Sequence, residues 1–269
     1  MDTVLIKSDG IHATYLTGDA RSEVNHCHEC YEIMYVISGT GKYILEGSEF
    51  ALKKRVLLLV RPFAYHSVRK DTEMSYEAYI LRFQKSALSG AALSMLERLI
   101  AEDENGRYFS PDAVSDSLIS AFDRFESAAK LPEPERDAYS RALLSEIIIL
   151  LSAATGEKMT YTDDELGARV IRYLNSNIER NVSLDKLARR FFVSKYHLCR
   201  AFKKYSGISV HSYINHKRIM YAKQLIDSGE TAIGAAYKVG FGDYSAFYRA
   251  YVKIVGSSPR AEHKGEGNQ

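Results

Sequence analysis

Side chains that bind metal ions or polar ligands lie close together near the start of the chain. The stretch HCHECYEIMYVISG, residues 26–39, contains His26, His28 and Glu32 in what we predict to be a β-strand. Alternate residues of a strand share a face, so these two imidazoles and the carboxylate are expected to converge. Imidazole and carboxylate ligands suit Mn, Fe, Ni or Zn. The stretch therefore predicts either a catalytic metal centre or the floor of a pocket that senses a ligand.

The cysteines give a weaker signal. Cys27 and Cys30 form a CxxC pair, and Cys199 lies far from them in the sequence. An odd and low number of cysteines argues against a disulfide framework and indicates the reducing cytoplasm. Because the sequence has no second cysteine pair to complete a zinc site, the CxxC pair alone is weak support for metal binding or redox chemistry.

The composition predicts a soluble, cytoplasmic protein. Apolar residues make up 46% and charged residues 26% of 269 residues, a length that allows two ordinary domains. The longest apolar runs, 56–60 and 147–151, are far shorter than the roughly 20 residues that span a membrane. The N-terminus lacks a basic segment followed by an apolar core, so we expect no signal peptide and no membrane association.

Charge is divided unequally along the chain. Residues 161–269 contain 18 Lys and Arg against 10 Asp and Glu, whereas residues 1–160 contain 18 against 24. A basic C-terminal half favours a polyanionic partner, above all nucleic acid. Charge alone is also compatible with an ordinary solvated surface, so the motifs must decide between the two.

The spacing of apolar residues divides the chain into three regions. Residues 1–84 contain many short apolar and β-branched runs, which predict a small β-barrel or sandwich. Residues 85–160 change to helical spacing, and a helix over about 136–154 is apolar nearly all round. Such a helix is buried in its own domain or against a partner chain, and we expect it to form a homodimer. Residues 161–269 have helical spacing throughout.

The C-terminal region contains an internal near-repeat. LARRFFVSKYHLCRAFKKYSG, residues 187–207, resembles AAYKVGFGDYSAFYRAYVKIVG, residues 235–256. In the first copy Ser183 and Ser194 can cap two helices, the second running from Lys195 to Tyr205. Two helices joined by a short turn predict a helix-turn-helix unit, and the repeat predicts two such units.

The second helix of the first copy has the properties of a DNA recognition helix. Leu198, Phe202 and Tyr205 share a face that must pack inward. The other face offers an arginine that can form two hydrogen bonds with a guanine edge, and lysines that can contact phosphates. The residues predicted to contact DNA here are Lys195, Tyr196, Cys199, Arg200, Lys203 and Lys204. A solvated helix would also be basic outside, but the caps, the short turn and the repeat favour DNA binding.

The second copy is more aromatic and less basic, so we expect weaker or less specific base reading there. Phe247 and Tyr251 are predicted to point inward, and so is Ile233 in the preceding helix. A helix over residues 210–227 joins the two copies and would span about 27 Å. That length could place the two units in successive segments of the major groove.

These residues resemble the AraC/XylS family of bacterial transcription regulators. The match covers LA, S-x-x-x-L-x-R-x-FKK-x-x-G, the R-x-x-x-A of Arg218 and Ala222, VGF and G-x-SP. The resemblance implies double-stranded promoter DNA as a partner, and RNA polymerase as well if the regulator is an activator. The family's base-reading positions fall on Tyr196, Cys199 and Arg200, and on Tyr244, Ser245 and Arg249. Gly234 and Ala235 depart from the family's usual Glu-Ile, which weakens the prediction for the second unit.

The N-terminal stretch resembles the first cupin motif, H-x-H-x3-E-x6-G. The matching residues are His26, His28, Glu32 and Gly39. The second cupin motif is represented by Pro62 and His66, with Phe63 where glycine is usual. In AraC-like regulators such a domain implies binding of a small-molecule effector, most commonly a sugar or another hydroxylated metabolite. The predicted effector-binding residues are His26, His28, Glu32, Tyr35 and His66.

Two functional hypotheses follow. The first is an effector-controlled transcription regulator, without enzymatic activity or a cofactor. It would have an N-terminal cupin-like β-barrel (1–84) followed by a helical dimerisation region (85–160), and a C-terminal all-α domain with tandem helix-turn-helix units (161–269). The second is a metal-dependent cupin enzyme whose basic half only localises it. We favour the first; whether the four His and Glu side chains hold a metal is left open by the sequence.

Overall fold

The computed structural model describes residues 2–18, 26–46, 48–62, 64–70, 76–101, 106–155, 165–178 and 182–259. Phe63 of the second cupin motif lies outside these residues. The chain divides into two compact units, Met1–Thr162 and Asp163–Gln269. Within the described ranges, none of the helices has the length and apolar character needed to cross a membrane.

The first unit is built on two antiparallel sheets. Its described strands are β1 (Asp2–Ser8), β2 (Ile11–Gly18), β3 (Tyr31–Ser38), β4 (Gly41–Leu45), β5 (Ser48–Leu52), β6 (Leu57–Val60), β7 (His66–Lys70), β8 (Tyr76–Phe83) and β9 (Gly106–Phe109). Six strands form one sheet in the order β1-β2-β8-β3-β6-β9, and three form a second in the order β5-β4-β7. The predicted β-rich N-terminal fold is confirmed, with the described strands arranged as two sheets.

Burial on both faces explains the sequence of the large sheet. Ile33 and Tyr35 of β3 belong to a core shared with helices, whereas Met34 and Val36 belong to a core shared with the small sheet. Successive residues of a strand point to opposite faces, so a strand that is covered on both sides has no polar alternation. The unbroken LLLV run of β6, which is buried along its whole length, follows from this position.

Three helices cover one face of the large sheet. They are α1 (Gly90–Ala101), α2 (Asp116–Ala128) and α3 (Glu135–Ala153). α3 packs against both α1 and α2, and its residues Leu144, Ile147 and Leu151 are fully buried. Most of the apolar surface of α3 is therefore covered within the unit, although Ile149 is 43% exposed.

A strand within the region predicted to be helical corrects the sequence analysis. β9 pairs antiparallel with β6 and forms one edge of the large sheet. Four residues are too few to show a two-residue period, and the partner strand lies far earlier in the chain. At Gly106, whose φ is 153°, a Cβ would lie 2.2 Å from the carbonyl oxygen of Leu59, so this close approach requires glycine.

The described part of the second unit is entirely helical. Its helices are α4 (Leu166–Asn175), α5 (Leu184–Arg190), α6 (Lys195–Ser206), α7 (Val210–Asp227), α8 (Ala232–Lys238) and α9 (Tyr244–Val255). α5 packs on α6 and α8 packs on α9, while α7 contacts α6, α8 and α9. The predicted tandem helix-turn-helix arrangement is confirmed, with α7 between the two units.

Side-chain caps determine where these helices begin. The capping residues are Ser183, Ser194, Ser209, Thr231 and Asp243, whose side chains accept hydrogen bonds from backbone N–H groups of the first turn. Those N–H groups have no partner within the helix, so each cap satisfies a donor that would otherwise depend on water. The caps therefore fix the positions of the first residues of α6 and α9.

Candidate DNA-binding surface and effector site

The two faces of α6 are separated as the sequence predicts. Leu198 and Phe202 are fully buried and Tyr205 is buried with them. Arg200 is exposed on the opposite side of the helix. The predicted orientation of α6 is therefore confirmed, and its cationic face is accessible to a partner.

The exposed face of α6 combines cationic and aromatic groups. The sequence of the helix contains four Lys or Arg and no Asp or Glu. Lys195, Tyr196, Arg200, Lys203 and Lys204 are exposed, and Cys199 is half-buried. Lys195 Nζ lies 2.9 Å from Asp185 Oδ1, but both side chains are exposed, so this pair is weak and a phosphate can replace it. An arginine flanked by lysines has the chemistry that recognises guanine and phosphate.

The second recognition helix, α9, presents a less basic face. Ser245 and Arg249 are exposed, as predicted. Tyr244 is half-buried, and its ring centroid lies 5.7 Å from that of Phe247, so it partly belongs to the core. The inward position predicted for Ile233 is wrong, because this residue is half exposed. The neighbouring Ala235 and Ala236 are the buried residues of α8.

Alignment of the two helix-turn-helix units at their helix caps identifies a further candidate contact. Ser194 and Asp243 are equivalent caps, so Arg200 corresponds to Arg249 and Cys199 to Tyr248. Tyr248 is 42% exposed on the same side of α9 as Arg249. Tyr248 was predicted to point outward but was not included among the DNA contacts, although the same alignment of the repeats makes it equivalent to Cys199.

The first turn contains an unusual aromatic residue that the sequence analysis did not single out as functional. Phe192 has φ 55° and is equivalent to Gly240, which has φ 89°. The left-handed region is unfavourable for a bulky side chain. Phe192 is also 95% exposed, so packing within the compact unit Asp163–Gln269 does not explain why an aromatic residue occupies this position. The structure places an exposed aromatic ring three residues before the start of α6.

Arg218 connects the second turn to the rest of the unit. Its Nε donates to Ile178 O at 3.0 Å and its Nη1 donates to Gly240 O at 2.8 Å. Burial lowers the pKa of Arg218, but a guanidinium stays protonated at neutral pH. The Arg218 of the R-x-x-x-A motif thus holds backbone carbonyls in place.

Three histidines of the first unit converge, as the sequence predicts. The nearest ring nitrogens of His26, His28 and His66 all lie within 4.8 Å of one another. His26 N donates to His66 O at 2.9 Å and His66 N donates to His26 O at 2.8 Å, which ties the two segments together. His26 and His28 precede β3, so the continuous strand predicted over this stretch is wrong; the backbone bridge to His66 brings the side chains together instead.

A buried carboxylate lies beside the histidines. Glu32 is 3% exposed, and its Oε2 accepts a hydrogen bond from Arg82 Nε at 2.8 Å. The strand register sets Arg82 of β8 directly opposite Glu32. Glu32 Oε1 lies 3.5 Å from His66 Nε2, and Oε2 lies 3.3 Å from His28 Nε2. Burial alone would raise the pKa of Glu32, but His66, His28 and Arg82 outweigh it and hold the pKa well below its usual range.

The buried imidazole of His66 has a defined tautomer. Its Nδ1 donates to Ala64 O at 2.8 Å, because a carbonyl oxygen can only accept. Burial lowers the pKa of His66 to about 4, although Glu32 opposes this shift, so the ring is neutral at pH 7 and Nε2 carries a lone pair. His66 Nε2 forms no hydrogen bond with a residue that the structure describes. A buried acceptor of this kind indicates a ligand that supplies the missing partner.

Tyr35 lies outside this cluster, which corrects the predicted effector-binding set. Residues alternate along β3, so Tyr35 and Glu32 point to opposite faces of the sheet. The Tyr35 ring packs toward the helices, with its centroid 5.3 Å from that of Phe122. The sequence distance of three residues should have excluded Tyr35 from the face that carries Glu32.

The CxxC pair lies next to the cluster in the reduced form. Cys27 and Cys30 form no disulfide. Burial, with a smaller contribution from Glu32, raises the pKa of Cys30 to about 11. A thiol with this pKa is protonated at neutral pH and is a poor nucleophile, so Cys30 gives a redox role no support.

Comparison with known proteins identifies the two units. Residues 7–99 match the AraC-like ligand binding domain, and residues 187–264 match a helix-turn-helix domain. The transcriptional activators RhaS of Escherichia coli O81 (strain ED1a) and of Enterobacter sp. (strain 638) are each 24% identical to this chain, over 245 and 247 residues. Each match covers 89% of this chain and 87% of the relative.

Among solved structures, ToxT from Vibrio cholerae O395 is 14% identical, with a TM-score of 0.40, and the match covers 94% of this chain and 96% of ToxT. The assignment of this chain depends on the two domain matches, which fall on the histidine cluster and on the α5–α9 surface, and on the full-length relatives. The chain belongs to the AraC family of DNA-binding transcription regulators and carries an N-terminal ligand-binding domain.

Proposed function

We propose that this regulator is a cytoplasmic activator that binds promoter DNA as a homodimer, chiefly through α6, and responds to a polar effector bound near the histidine cluster. The observation that carries the DNA-binding role is the division of α6. Phe202 is fully buried, while Arg200 is exposed on the opposite side. A helix anchored on one side and cationic on the other can enter the major groove without disturbing the core.

The arrangement of the C-terminal compact unit, which contains both helix-turn-helix units, supports two contacts with one face of DNA. α7 has 18 residues, which corresponds to a length of about 27 Å. Successive major-groove segments on one face of the duplex are about 34 Å apart. Recognition helices packed near α7 can therefore reach neighbouring segments, with Arg200 and Arg249 as the side chains directed at bases.

A footprint of the full-length protein on the DNA upstream of its own gene tests this function. We expect protection of two segments about one helical turn apart, with an affinity well above that for unrelated DNA of the same length and base composition. Equal affinity for both DNAs would contradict sequence-specific regulation. Protection of a single segment would contradict the role of α9.

The outer surface of α3 supports the homodimer. Small or apolar residues recur there at intervals of four and three, the spacing of a coiled-coil seam, at Ala138, Ala142, Ser145, Ile149 and Ser152. The hydroxyls of Ser145 and Ser152 already donate to carbonyls of the same helix, so a dimer interface could bury them without leaving a donor unsatisfied. Ile149 is the large apolar side chain in this stripe.

Sedimentation equilibrium of the full-length protein at micromolar concentration tests the dimer. Ile149→Glu places a charge in the stripe and should produce monomers. Leu131→Glu is the matched control, because Leu131 is also an exposed apolar residue of the first unit but lies outside the stripe. A monomeric wild-type protein, or a dimeric Ile149→Glu variant, would contradict the proposed interface.

The effector role and the absence of catalysis belong to the same proposal. The lone pair of His66 Nε2 supports a ligand with hydrogen-bond donors or a cation, and a hydroxylated metabolite such as a sugar satisfies the first description. Binding would favour one arrangement of the protein and so change its affinity for DNA. Both RhaS relatives are named activators, which supports activation and RNA polymerase as a partner. Transcription in vitro from the footprinted promoter should rise when the protein is added; a fall would contradict activation.

A further inference from the structure

We propose that His26, His28 and His66 bind a divalent transition-metal ion, and that Arg82 sets the affinity of this site by holding the Glu32 carboxylate away from the metal. The inference names a ligand class for the effector domain and to that extent rests on the proposed function. It depends on three observations: the convergence of the imidazoles, the orientation of His66, and the pairing of Glu32.

The imidazoles are already arranged around one point. Their ring centroids are 4.5 Å apart for His26 and His66, 4.8 Å for His26 and His28, and 5.3 Å for His28 and His66. A metal ion bound at about 2.1 Å from each nitrogen requires only a modest inward rotation of the rings. His26 and His28 are partly exposed and precede β3, so they can make this adjustment while His66 stays fixed.

His66 is oriented as a metal ligand would be. Its Nδ1–H donates to Ala64 O, which leaves Nε2 directed into the cluster with its lone pair. A carbonyl that fixes the second ring nitrogen is a common partner of metal-binding histidines. Nε2 lies 3.5 Å from Glu32 Oε1, so a cation bound at Nε2 would also be attracted by this buried carboxylate.

Arg82 decides how much negative charge the site offers a metal. Glu32 Oε2 accepts the hydrogen bond from Arg82 Nε, so the carboxylate is neutralised by a neighbour on β8. While that pair persists, the ligands of the metal are three neutral imidazoles. Breaking the pair would let Glu32 approach the metal and strengthen binding. Imidazole nitrogens select Zn, Co, Ni or Cu over Mg and Ca.

Titration of chelator-treated full-length protein with Co²⁺ tests the site. We expect visible absorption bands of bound Co²⁺ that saturate at one ion per chain and disappear when Zn²⁺ is added. His28→Ala should weaken Co²⁺ binding by at least about tenfold. His211→Ala is the matched control, because it removes an exposed histidine of the second unit and should change nothing. Absent bands, or an unchanged titration for His28→Ala, would overturn the metal site.

Two further variants test the role of Arg82. Arg82→Gln should tighten Co²⁺ binding by about tenfold, because it frees the Glu32 carboxylate. In a Glu32→Gln background the same Arg82 substitution should have no effect, and this double variant removes both charges together, so it leaves no unpaired buried ion. Weaker binding in Arg82→Gln, or equal effects in both backgrounds, would overturn this role.

DNA binding measured on the same preparations separates this inference from the proposed function. A gel shift with the upstream DNA needs no metal signal. Metal-free protein that binds this DNA but never binds Co²⁺ would overturn the metal site alone. Protein that binds Co²⁺ but shows no preference for the upstream DNA would overturn the proposed DNA-binding role and leave the metal site standing.

Discussion

The two helix-turn-helix units of the second half share one helical layout, although the second turn is one residue longer, and they differ in the surface they present. In each unit a helix of 7 residues leads through a turn into a helix of 12. The turns have matching hydrogen bonds, since Val193 N donates to Ala188 O and Phe241 N donates to Ala236 O. The buried positions therefore set the shape of the module, and the exposed positions are left to set its partner.

The recognition helices differ most in charge. α6 has four Lys or Arg, whereas α9 has two. The position of Lys203 in α6 is occupied by Val252 in α9 when the caps are aligned. Lysine and arginine contacts with phosphate supply most of the salt-dependent affinity for DNA. We therefore expect the first helix-turn-helix unit to supply most of the affinity for DNA and the second to make a smaller, more aromatic contribution.

The turns differ in how their conformation is supported. The second turn uses Gly240 at a left-handed position, and Arg218 donates to its carbonyl oxygen. The first turn places Phe192 at the equivalent position. A bulky residue in this region costs on the order of 1–2 kcal/mol relative to glycine. The first helix-turn-helix unit thus keeps an exposed aromatic ring at some cost in stability, while the second is held by the half-buried guanidinium of Arg218.

The largest effect should come from removing that guanidinium. Arg218→Met should lower the free energy of unfolding by about 3 kcal/mol, because it leaves the carbonyls of Ile178 and Gly240 without a charged donor. Urea denaturation of the full-length protein measures this. Lys217→Met is the control on the same helix, and it should cost less than about 1 kcal/mol. Equal losses would mean that Arg218 does not hold the second turn.

The next effect compares the two exposed arginines at equivalent positions of α6 and α9. Arg200→Ala should weaken binding to the footprinted DNA by about 2 kcal/mol, or about 30-fold in Kd, and Arg249→Ala by about 1 kcal/mol, or about fivefold. The first value is larger because α6 carries more of the phosphate contacts that hold its helix in the groove. Gel-shift titration measures both variants. The reverse order would contradict the division of roles between the units.

Exchange of the turn residues should have opposite effects in the two units. Phe192→Gly should raise the free energy of unfolding by about 1 kcal/mol, because it removes left-handed strain. Gly240→Ala should lower it by about the same amount, because it introduces that strain. Thermal or urea unfolding of both variants checks the pair. A Phe192→Gly variant that is less stable than the wild type would show that the ring has a structural contact of its own.

The smallest effect concerns phosphate contact. Lys203→Ala should reduce the slope of log Kd against log salt concentration by about 1 and weaken binding to all DNA sequences equally. Val252→Lys, which places lysine at the equivalent position of α9, should steepen the slope by a similar amount. Salt titrations on specific and unrelated DNA measure both. An effect of Lys203→Ala confined to one sequence would assign this lysine to a base instead.

Local patterns explain why the helices of the C-terminal compact unit, Asp163–Gln269, could be predicted. The α7 predicted over 210–227 has those bounds in the structure, since Ser209 caps its start and its apolar spacing persists to its end. α6 likewise begins where Ser194 predicts it. A 3.6-residue period and a capping side chain are both contained in a short window of sequence, so they can be recognised without knowledge of the tertiary fold.

The N-terminal compact unit, Met1–Thr162, was less predictable because strand pairing is not local. The histidine cluster was correctly predicted to converge, yet Arg82, which pairs with Glu32, lies 50 residues away in sequence and has no motif of its own. Tyr35 was assigned to the wrong face, and the short strand β9 was read as part of a helical region. In each case the deciding fact was the register between distant strands, which a single sequence does not contain.

The central claim is that the Arg200 face of α6 lies in the major groove of the target DNA. Methylation of guanine N7 by dimethyl sulfate, which reports on the major groove, tests it directly when wild-type protein and Arg200→Ala are compared on the footprinted site at saturating concentrations. The account predicts that the variant loses protection of one guanine in the DNA segment bound by the first helix-turn-helix unit. Protection of the segment bound by the second helix-turn-helix unit should remain. Identical protection by both proteins would contradict it.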